Sequence, residues 1–99
     1  MIALYARQSL DVKDSISIEV QIEKGKELLR KGENYGVYKD KGFSGKNTKR
    51  PDFQRLMDDV AKGNISKIIV YRFDRFSRSL LDFCITWEYL SRYGVEFVS

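Results

Sequence analysis

Residues 67–71 read K-I-I-V-Y, and the polar segment R-F-D-R-F-S-R-S follows them directly at residues 72–79. A short run of β-branched and aromatic side chains is typical of a buried β-strand. On both sides of this run, apolar residues recur at intervals of three and four, the spacing of one face of a helix. The helix before it carries Phe53, Leu56, Met57 and Val60, and the helix after it carries Leu80, Phe83, Cys84, Trp87 and Leu90. A strand between two helices therefore decides the fold class.

The same alternation extends to both ends of the chain. Four further elements are predicted: a strand at 2–5, a helix from Ser15 or Ser17 to about Lys31, a weaker strand at 35–39 and a strand at 95–98. Strand and helix repeated three times and closed by a strand predict an α/β fold, a mostly parallel sheet with helices on both faces. Residues 1–99 show no internal repeat, so we expect them to form one domain.

The composition excludes several kinds of site. The chain has no histidine, which excludes every Ser-His-Asp scheme, and its single cysteine, Cys84, can form neither an internal disulfide nor a thiolate metal site. It also has no glycine-rich P-loop, no carboxylate cluster and no metal-ligand spacing, so no metal and no cofactor is predicted. No apolar run approaches the roughly 20 residues of a membrane span, and we expect a reducing, cytoplasmic setting.

Positive charge is concentrated in the middle of the chain. The net charge is +4, with 18 Lys and Arg against 14 Asp and Glu. Residues 39–79 hold 11 of those cations and 5 of those acids, so the net charge of this stretch is +6 and that of the remainder is −2. A positive centre suits a polyanion, nucleic acid above all, with a plain basic surface as the alternative.

Each of the first three predicted strands is followed by an unusual polar segment. Arg7-Gln8-Ser9 follows the first strand, residues 40–45 (D-K-G-F-S-G) follow the second, and residues 72–79 follow the third. Ligands of open α/β sheets bind beyond the carboxyl ends of the strands, which share one edge in a parallel sheet. We therefore expect the three segments to meet at that edge.

The first of these segments combines a serine with an arginine. In an extended chain Arg7 and Ser9 are two residues apart and point the same way. A guanidinium binds phosphate oxygens in a fork and neutralises charge as a hydroxyl attacks, but it stays protonated and does not act as a base. The pattern indicates phosphoryl chemistry, with an ordinary polar loop after a strand as the alternative.

The third segment carries three arginines in seven residues, Arg72, Arg75 and Arg78. Arg75 and Arg78 share a face if the segment enters the next helix, whose N-terminus adds a positive end toward an anion. Asp74 could orient an arginine or handle a proton. The alternative is a structural Asp–Arg network with the two interleaved phenylalanines in the core.

The second segment belongs to a longer connection. Residues 40–50 are rich in Gly, Ser, Lys and Asn and are predicted to form a loop, after which Pro51 starts a helix that Gly63 ends. Arg50 stands just before that helix, where it could clamp a phosphate. A plain connecting loop is the alternative.

Taken in order, three motifs resemble the catalytic domain of the resolvase/invertase serine recombinases. They are Y-A-R-Q-S at 5–9, D-K-G-F-S-G at 40–45 followed by R-P at 50–51, and D-R-F-S-R at 74–78. Their order and spacing match from Met1 to Ser99 and are most similar to the large members, the phage-type integrases and transposon recombinases. The resemblance implies a resolvase-like three-layer sandwich that recombines double-stranded DNA sites without a metal or cofactor.

The resemblance also implies a role for individual residues. Ser9 would attack the scissile phosphodiester, form a 5′-phosphoserine link and release a 3′-OH. Asp74 would position an arginine or carry the leaving-group proton. The arginines that would hold the phosphate and stabilise the pentacovalent transition state are Arg7, Arg50, Arg75 and Arg78.

Five further positions would support the DNA or its phosphate. Tyr5 would support the strand end, Gln21 matches a family glutamine near the site, and the others are Asp40, Ser44 and Arg72. Small resolvases carry a lysine in the second helix where this chain has Asp59. The role of that lysine is therefore not transferred, and Asp59 is either its replacement or a surface residue.

The family implies further parts besides residues 1–99: a long dimerisation helix and DNA-binding domains that choose the site. The expected assembly is a dimer on each site and a tetramer at synapsis, and the 99 residues alone are expected to be inactive. Two alternatives come from other classes. A receiver-like signalling domain needs an acidic cluster after the first strand, and a nucleic-acid-binding module without chemistry would leave Ser9 incidental.

Overall fold

A computed structural model describes residues 1–9, 17–43, 51–71 and 80–98 of the chain. Strands and helices alternate as the sequence predicts. The elements are β1 (Ile2–Ser9), α1 (Ile18–Lys26), β2 (Tyr35–Phe43), α2 (Pro51–Ala61), β3 (Lys67–Val70), α3 (Leu80–Arg92) and β4 (Glu96–Val98). None of the helices in these ranges is long and apolar enough to cross a membrane.

The four strands form one parallel sheet in the order β2-β1-β3-β4. The chain therefore passes from β1 to β2 on one side and then crosses back over β1 to β3 on the other side. The predicted α/β class is confirmed, including the parallel sheet.

Side chains of alternate residues on β1 enter two separate cores. Ile2 and Leu4 join Ile69 in the core that α1 covers. The opposite face of the sheet, which includes Ala3 and Tyr5, packs against α2 and α3. The buried members of this larger core are Ala3, Tyr5, Tyr38, Leu56, Val60, Ile65, Ile68, Val70, Leu90 and Val95. Helices on both faces make the predicted three-layer sandwich.

A glycine on α1 sets how closely that helix approaches the sheet. A Cβ atom at Gly25 would lie 3.3 Å from Leu4 Cδ2 and 3.6 Å from Ile69 Cγ2. Any larger side chain would push the helix away from the sheet, because interiors are packed too densely to absorb extra methyl groups.

Helix ends follow the predicted signals in most places. Ser17 is the N-cap of α1, and its Oγ accepts a hydrogen bond from the Val20 amide at 3.3 Å. Gly63 and Gly94 follow α2 and α3 with φ angles of +78° and +68°, the left-handed conformation that closes helices. The predicted end of α1 near Lys31 is wrong, because turn-type hydrogen bonds from Leu28 and Leu29 close the helix after Lys26.

Two strands are longer than predicted. β1 continues to Ser9 instead of Tyr5, and β2 continues to Phe43 instead of Lys39. The placement of Arg7-Gln8-Ser9 after the first strand, and of residues 40–43 in a loop, is therefore wrong. The two strands pair with each other through their polar ends. The polarity of these side chains predicted a loop, but the pairing between the two backbones extends both strands.

Side chains of α2 cover the outer edge of β2. The Lys39 amide donates to Asp52 Oδ2 at 2.8 Å, and Arg55 Nη2 donates to the Val37 carbonyl at 3.3 Å. The Arg55 guanidinium also lies over the Tyr38 ring, 4.3 Å from its centroid. These contacts occupy backbone groups that an edge strand otherwise offers to a foreign strand.

A tyrosine–carboxylate pair also joins β2 to α2. Tyr38 is buried in the larger core, and its hydroxyl donates to Asp59 Oδ2 at 2.6 Å. Burial, followed by the hydrogen bond to Asp59 and that carboxylate's charge, raises the pKa of Tyr38 to about 12. Asp59 therefore serves as a hydrogen-bond acceptor for the core.

Replacing Leu56 by Ala tests the larger core. Leu56 is fully buried between α2 and the sheet, and removing it leaves a cavity, so we expect the free energy of unfolding to fall by about 2 to 5 kcal/mol. Leu81→Ala is the matched control, because Leu81 is 70% exposed and should change stability by less than about 0.5 kcal/mol. Urea denaturation followed by circular dichroism measures both, and equal losses would contradict this core.

A second prediction concerns alkaline stability. Because the folded-state pKa of Tyr38 lies above its ordinary value of 10.0, its contribution is fully present below pH 10. It is then lost as the pH rises toward 12. The free energy of unfolding of the wild type should fall over this window by up to about 2 kcal/mol more than that of Tyr38→Phe. Urea titrations at several pH values measure this difference, and parallel curves for the two proteins would contradict it.

Candidate active site

Among the described residues, β1 extends beyond its partner β3 at the carboxyl end. β3 pairs with β1 from Ile2 to Tyr5, and β1 then runs on for four residues to Ser9. The chain leaves β1 toward β2 on one side and reaches β3 on the other. This point between β1 and β3 is the topological switch point, at which doubly wound sheets bind their ligands.

Arg7 lies at this switch point and is held by a side chain from α1. The Arg7 amide donates to Gln21 Oε1 at 3.3 Å, and Gln21 Nε2 donates to the Arg7 carbonyl at 3.0 Å. The Gln21 amide thus pairs with the backbone of Arg7 as a neighbouring strand would, two residues past the last pair of β1 with β3. Gln21 is 2% exposed, so this clamp is part of the protein interior.

Arg7 is itself only 9% exposed. A guanidinium at this depth acts on an anion through a medium less polarisable than water, which strengthens their attraction. Its planar fork of donors matches the oxygens of a phosphate. Arg7 is therefore placed to bind an anion at the end of β1, although the structure has it in a strand and not in a loop.

Ser9 is the last residue of β1. Its Cα pairs with Phe43, whereas Gln8 pairs with Lys41, so the register shifts by one residue and Gly42 forms a bulge on β2. Bulges are common beside active sites because they redirect the chain locally. Arg7 and Ser9 thus both lie at the carboxyl end of β1, as the sequence predicted.

Asp40 and Tyr5 connect this strand end to the start of α2. The Tyr5 hydroxyl donates to Asp40 Oδ2 at 2.7 Å. The Asp52 amide donates to Asp40 Oδ1 at 3.0 Å, and the Phe53 amide donates to Asp40 Oδ2 at 3.1 Å. Asp40 is 2% exposed, and these three donors solvate its buried carboxylate.

Six of the predicted site residues lie outside the described residues. They are Ser44, Arg50, Arg72, Asp74, Arg75 and Arg78. The residues that flank them in sequence are described: Phe43 ends β2, Pro51 begins α2 beside Asp40, and Tyr71 follows β3. The convergence of these six side chains on Arg7 and Ser9 stays a prediction.

Sequence reasoning missed the reciprocal contact between β2 and α2. Asp40 on β2 accepts two amides of α2, while Asp52 on α2 accepts the Lys39 amide of β2. The only signal in the sequence was an acidic residue after Pro51 in the first turn of a helix, a common pattern. Nothing in the order of residues indicated that a strand twelve positions earlier would supply the acceptor for that turn.

The sequence and the fold both match known recombinase domains. The family described as "Resolvase, N terminal domain" matches residues 2–99. A relative from Bacillus subtilis (strain 168), named a putative DNA recombinase, is 38% identical over 103 residues, which cover 99% of this chain and 20% of that protein. The chain therefore spans about a fifth of the length of this curated relative.

Solved structures of integrase and transposon enzymes share the fold. The N-terminal catalytic domain of TP901-1 integrase matches with a TM-score of 0.82 at 31% identity, over 99% of this chain and 76% of that one. The C-terminal catalytic domain of ISC1926 TnpA, an IS607-like serine recombinase, matches with a TM-score of 0.77 at 29% identity, over 97% of this chain and 67% of that one.

The parallel sheet in the order β2-β1-β3-β4 and the buried arginine at the end of β1 thus occur in a chain that matches one family over nearly its whole length. The resolvase-like fold predicted from the three motifs is confirmed by these structural neighbours. The chain belongs to the resolvase family of DNA recombinases and corresponds to its N-terminal domain.

Proposed function

We propose that this domain carries out the cleavage and rejoining steps of site-specific DNA recombination, with Ser9 as the nucleophile. The observation that carries the proposal is the position of Arg7 and Ser9 at the end of β1, at the switch point of the sheet. The buried Arg7, whose backbone Gln21 holds, offers a cation two residues from Ser9 in the sequence. A phosphodiester is the anion that this pair suits.

In the proposed reaction Ser9 Oγ attacks the scissile phosphorus. The Oγ–P bond forms as the bond from phosphorus to the 3′-oxygen breaks, which leaves a 5′-phosphoserine link and a 3′-OH. The proton of Ser9 leaves, and the 3′-oxygen gains one. Attack by the 3′-OH of the partner strand reverses these steps. Because one phosphoester replaces another, rejoining needs no nucleoside triphosphate.

Arginines supply the charge stabilisation in this scheme. The pentacovalent transition state carries more negative charge on its oxygens than the substrate, and donors that are already oriented toward those oxygens lower its energy. Asp74 positions an arginine or carries the proton of the leaving group. The arginines proposed to contact the phosphate are Arg7, Arg50, Arg75 and Arg78.

Five other residues are proposed to support the DNA or the site. Gln21 supports the backbone of Arg7, and Tyr5 and Asp40 support the strand end and the start of α2. Ser44 and Arg72 belong to the segments that follow β2 and β3 in sequence, where contacts to the phosphate backbone are expected.

The substrate and partners of the whole protein are part of the proposal. The substrate is a pair of double-stranded DNA sites, and the protein acts as a dimer on each site and a tetramer at synapsis, in the cytoplasm. Site choice resides in DNA-binding domains that residues 1–99 do not include, next to a long dimerisation helix. The 99 residues alone are expected to bind DNA weakly and not to recombine it.

Replacing Ser9 by Ala tests the nucleophile. In the full-length protein on a nicked suicide substrate, Ser9→Ala should reduce the covalent protein–DNA adduct by at least about a thousandfold, because no other group replaces the attacking oxygen. Mass mapping of the wild-type adduct should locate the phosphate on the peptide that contains Ser9.

The matched control is Ser91→Ala. Within the part of the chain that the structure describes, the Ser91 hydroxyl donates to the Trp87 carbonyl on its own helix, at 2.9 Å, so its loss should leave adduct formation unchanged. Adduct formation by Ser9→Ala at the wild-type rate would refute the nucleophile. A wild-type protein that binds DNA without any adduct would favour the non-catalytic nucleic-acid-binding module.

A further inference from the structure

Helix α2 receives its N-terminal cap from a strand and not from the residue that precedes it. An N-cap side chain ordinarily accepts a hydrogen bond from the second or third amide of its helix. In α2 these are the amides of Asp52 and Phe53, and both donate to the carboxylate of Asp40 on β2. The residue before the helix is Arg50, and its guanidinium carries no acceptor. Asp40 therefore supplies the hydrogen-bond acceptor of the N-cap, which the side chain of Arg50 cannot provide.

Charge favours the same arrangement. The first turn of a helix is positive, and an arginine beside it is repelled. The carboxylate of Asp40, 2% exposed, lies at that turn and offsets its charge. The fold can thus keep an arginine at the position where a serine, threonine or aspartate would otherwise be favoured.

Two further hydrogen bonds fix the start of α2 relative to β2 and, through Asp40, to β1, the strand that carries Arg7 and Ser9. The Tyr5 hydroxyl of β1 donates to Asp40 Oδ2 at 2.7 Å, and Asp52 accepts the amide of Lys39 on β2 at 2.8 Å. The first turn of α2 is thereby fixed relative to both strands. Arg50 directly precedes Pro51, the first residue of that turn, in the sequence.

We propose that Asp40 is a positioning residue, which holds the first turn of α2 against β1 and so sets where Arg50 meets the scissile phosphate. The inference rests on the proposed function, because it assumes that Arg50 contacts the phosphate. It gives Asp40 a task separate from proton transfer and from direct contact with DNA. The task needs hydrogen-bond acceptors at residue 40 more than it needs a titratable group.

The test uses the full-length protein in single-turnover cleavage of the nicked substrate. Asp40→Ala removes both acceptors, and we expect cleavage to slow about a hundredfold, the usual cost of a misplacement near 1 Å, with DNA affinity within about threefold of wild type. Asparagine caps helices about as well as aspartate. Asp40→Asn should therefore cleave within about tenfold of wild type, with an unchanged pH profile.

A double-mutant cycle identifies the residue through which Asp40 acts. If Asp40 works through Arg50, adding Asp40→Ala to an Arg50→Ala protein should slow cleavage by less than about threefold, because the positioned group is already absent. A loss near a hundredfold in that background would overturn the proposal. So would a loss above a thousandfold with an altered pH profile in Asp40→Asn, since Asp40 would then act in the chemistry itself.

A second tyrosine–carboxylate pair among the described residues provides the control. Asp59 accepts the Tyr38 hydroxyl at 2.6 Å, a distance closely similar to the 2.7 Å between Tyr5 and Asp40. However, Asp59 lies on α2 itself, seven residues after Asp52. Asp59→Ala should lower the melting temperature and leave cleavage within about threefold of wild type. Equal slowing in Asp40→Ala and Asp59→Ala would reduce Asp40 to a stabilising residue and overturn the inference.

Failure of the inference and failure of the proposed function are distinguishable in these experiments. If the wild-type protein forms no adduct on Ser9, the proposed function fails and the inference fails with it. If the wild-type adduct forms and only the Asp40 variants behave otherwise than expected, the proposed function stands and the inference alone is overturned. Asp40→Asn keeps this test available should Asp40→Ala fail to fold, because it retains an acceptor at the helix start.

Discussion

The pairing of β1 between two parallel neighbours is the constraint on which the rest of this domain depends. Residues Ile2 to Ala6 are at most 4% exposed, so this part of β1 is covered on both faces. Residues Ile2 to Tyr5 also pair with a strand on each side. Its partners set the strand order β2-β1-β3-β4, which brings the chain back across β1 and opens the switch point at its carboxyl end. If a strand in this environment slipped by one residue, the side chains that face one core would turn toward the other.

Polar contacts take over where the apolar pairing of β1 ends. Past Tyr5, β3 no longer pairs with β1, and Gln21 bonds to the backbone of Arg7 in its place. On the other side, Asp40 accepts the Tyr5 hydroxyl and the first amides of α2. In a strand end held in this way, the backbone of the buried Arg7 is fixed by Gln21. Such rigidity suits a group that must be oriented before charge develops on a substrate.

The motifs and the apolar periodicity predicted most of the architecture. The K-I-I-V-Y strand, the stripes of α2 and α3 and the closing glycine Gly63 all depend on neighbours within a few residues, which the sequence displays directly. The lengths of β1 and β2 were underestimated at their polar ends. There the strand persists because two distant segments pair with each other, and local propensity carries no information about that partner.

For the candidate site, the sequence by itself determined the chemical inventory: a serine two residues from an arginine, further arginines after the third strand, and no histidine. These identities follow from composition and spacing, and they sufficed to indicate phosphoryl chemistry. Only the tertiary structure decided that Arg7 is buried within a strand, that Gln21 clamps its backbone, and that Asp40 caps a helix begun after an arginine. Each of these contacts joins residues 12 to 14 positions apart, so they exist only once the sheet has brought its strands and helices together.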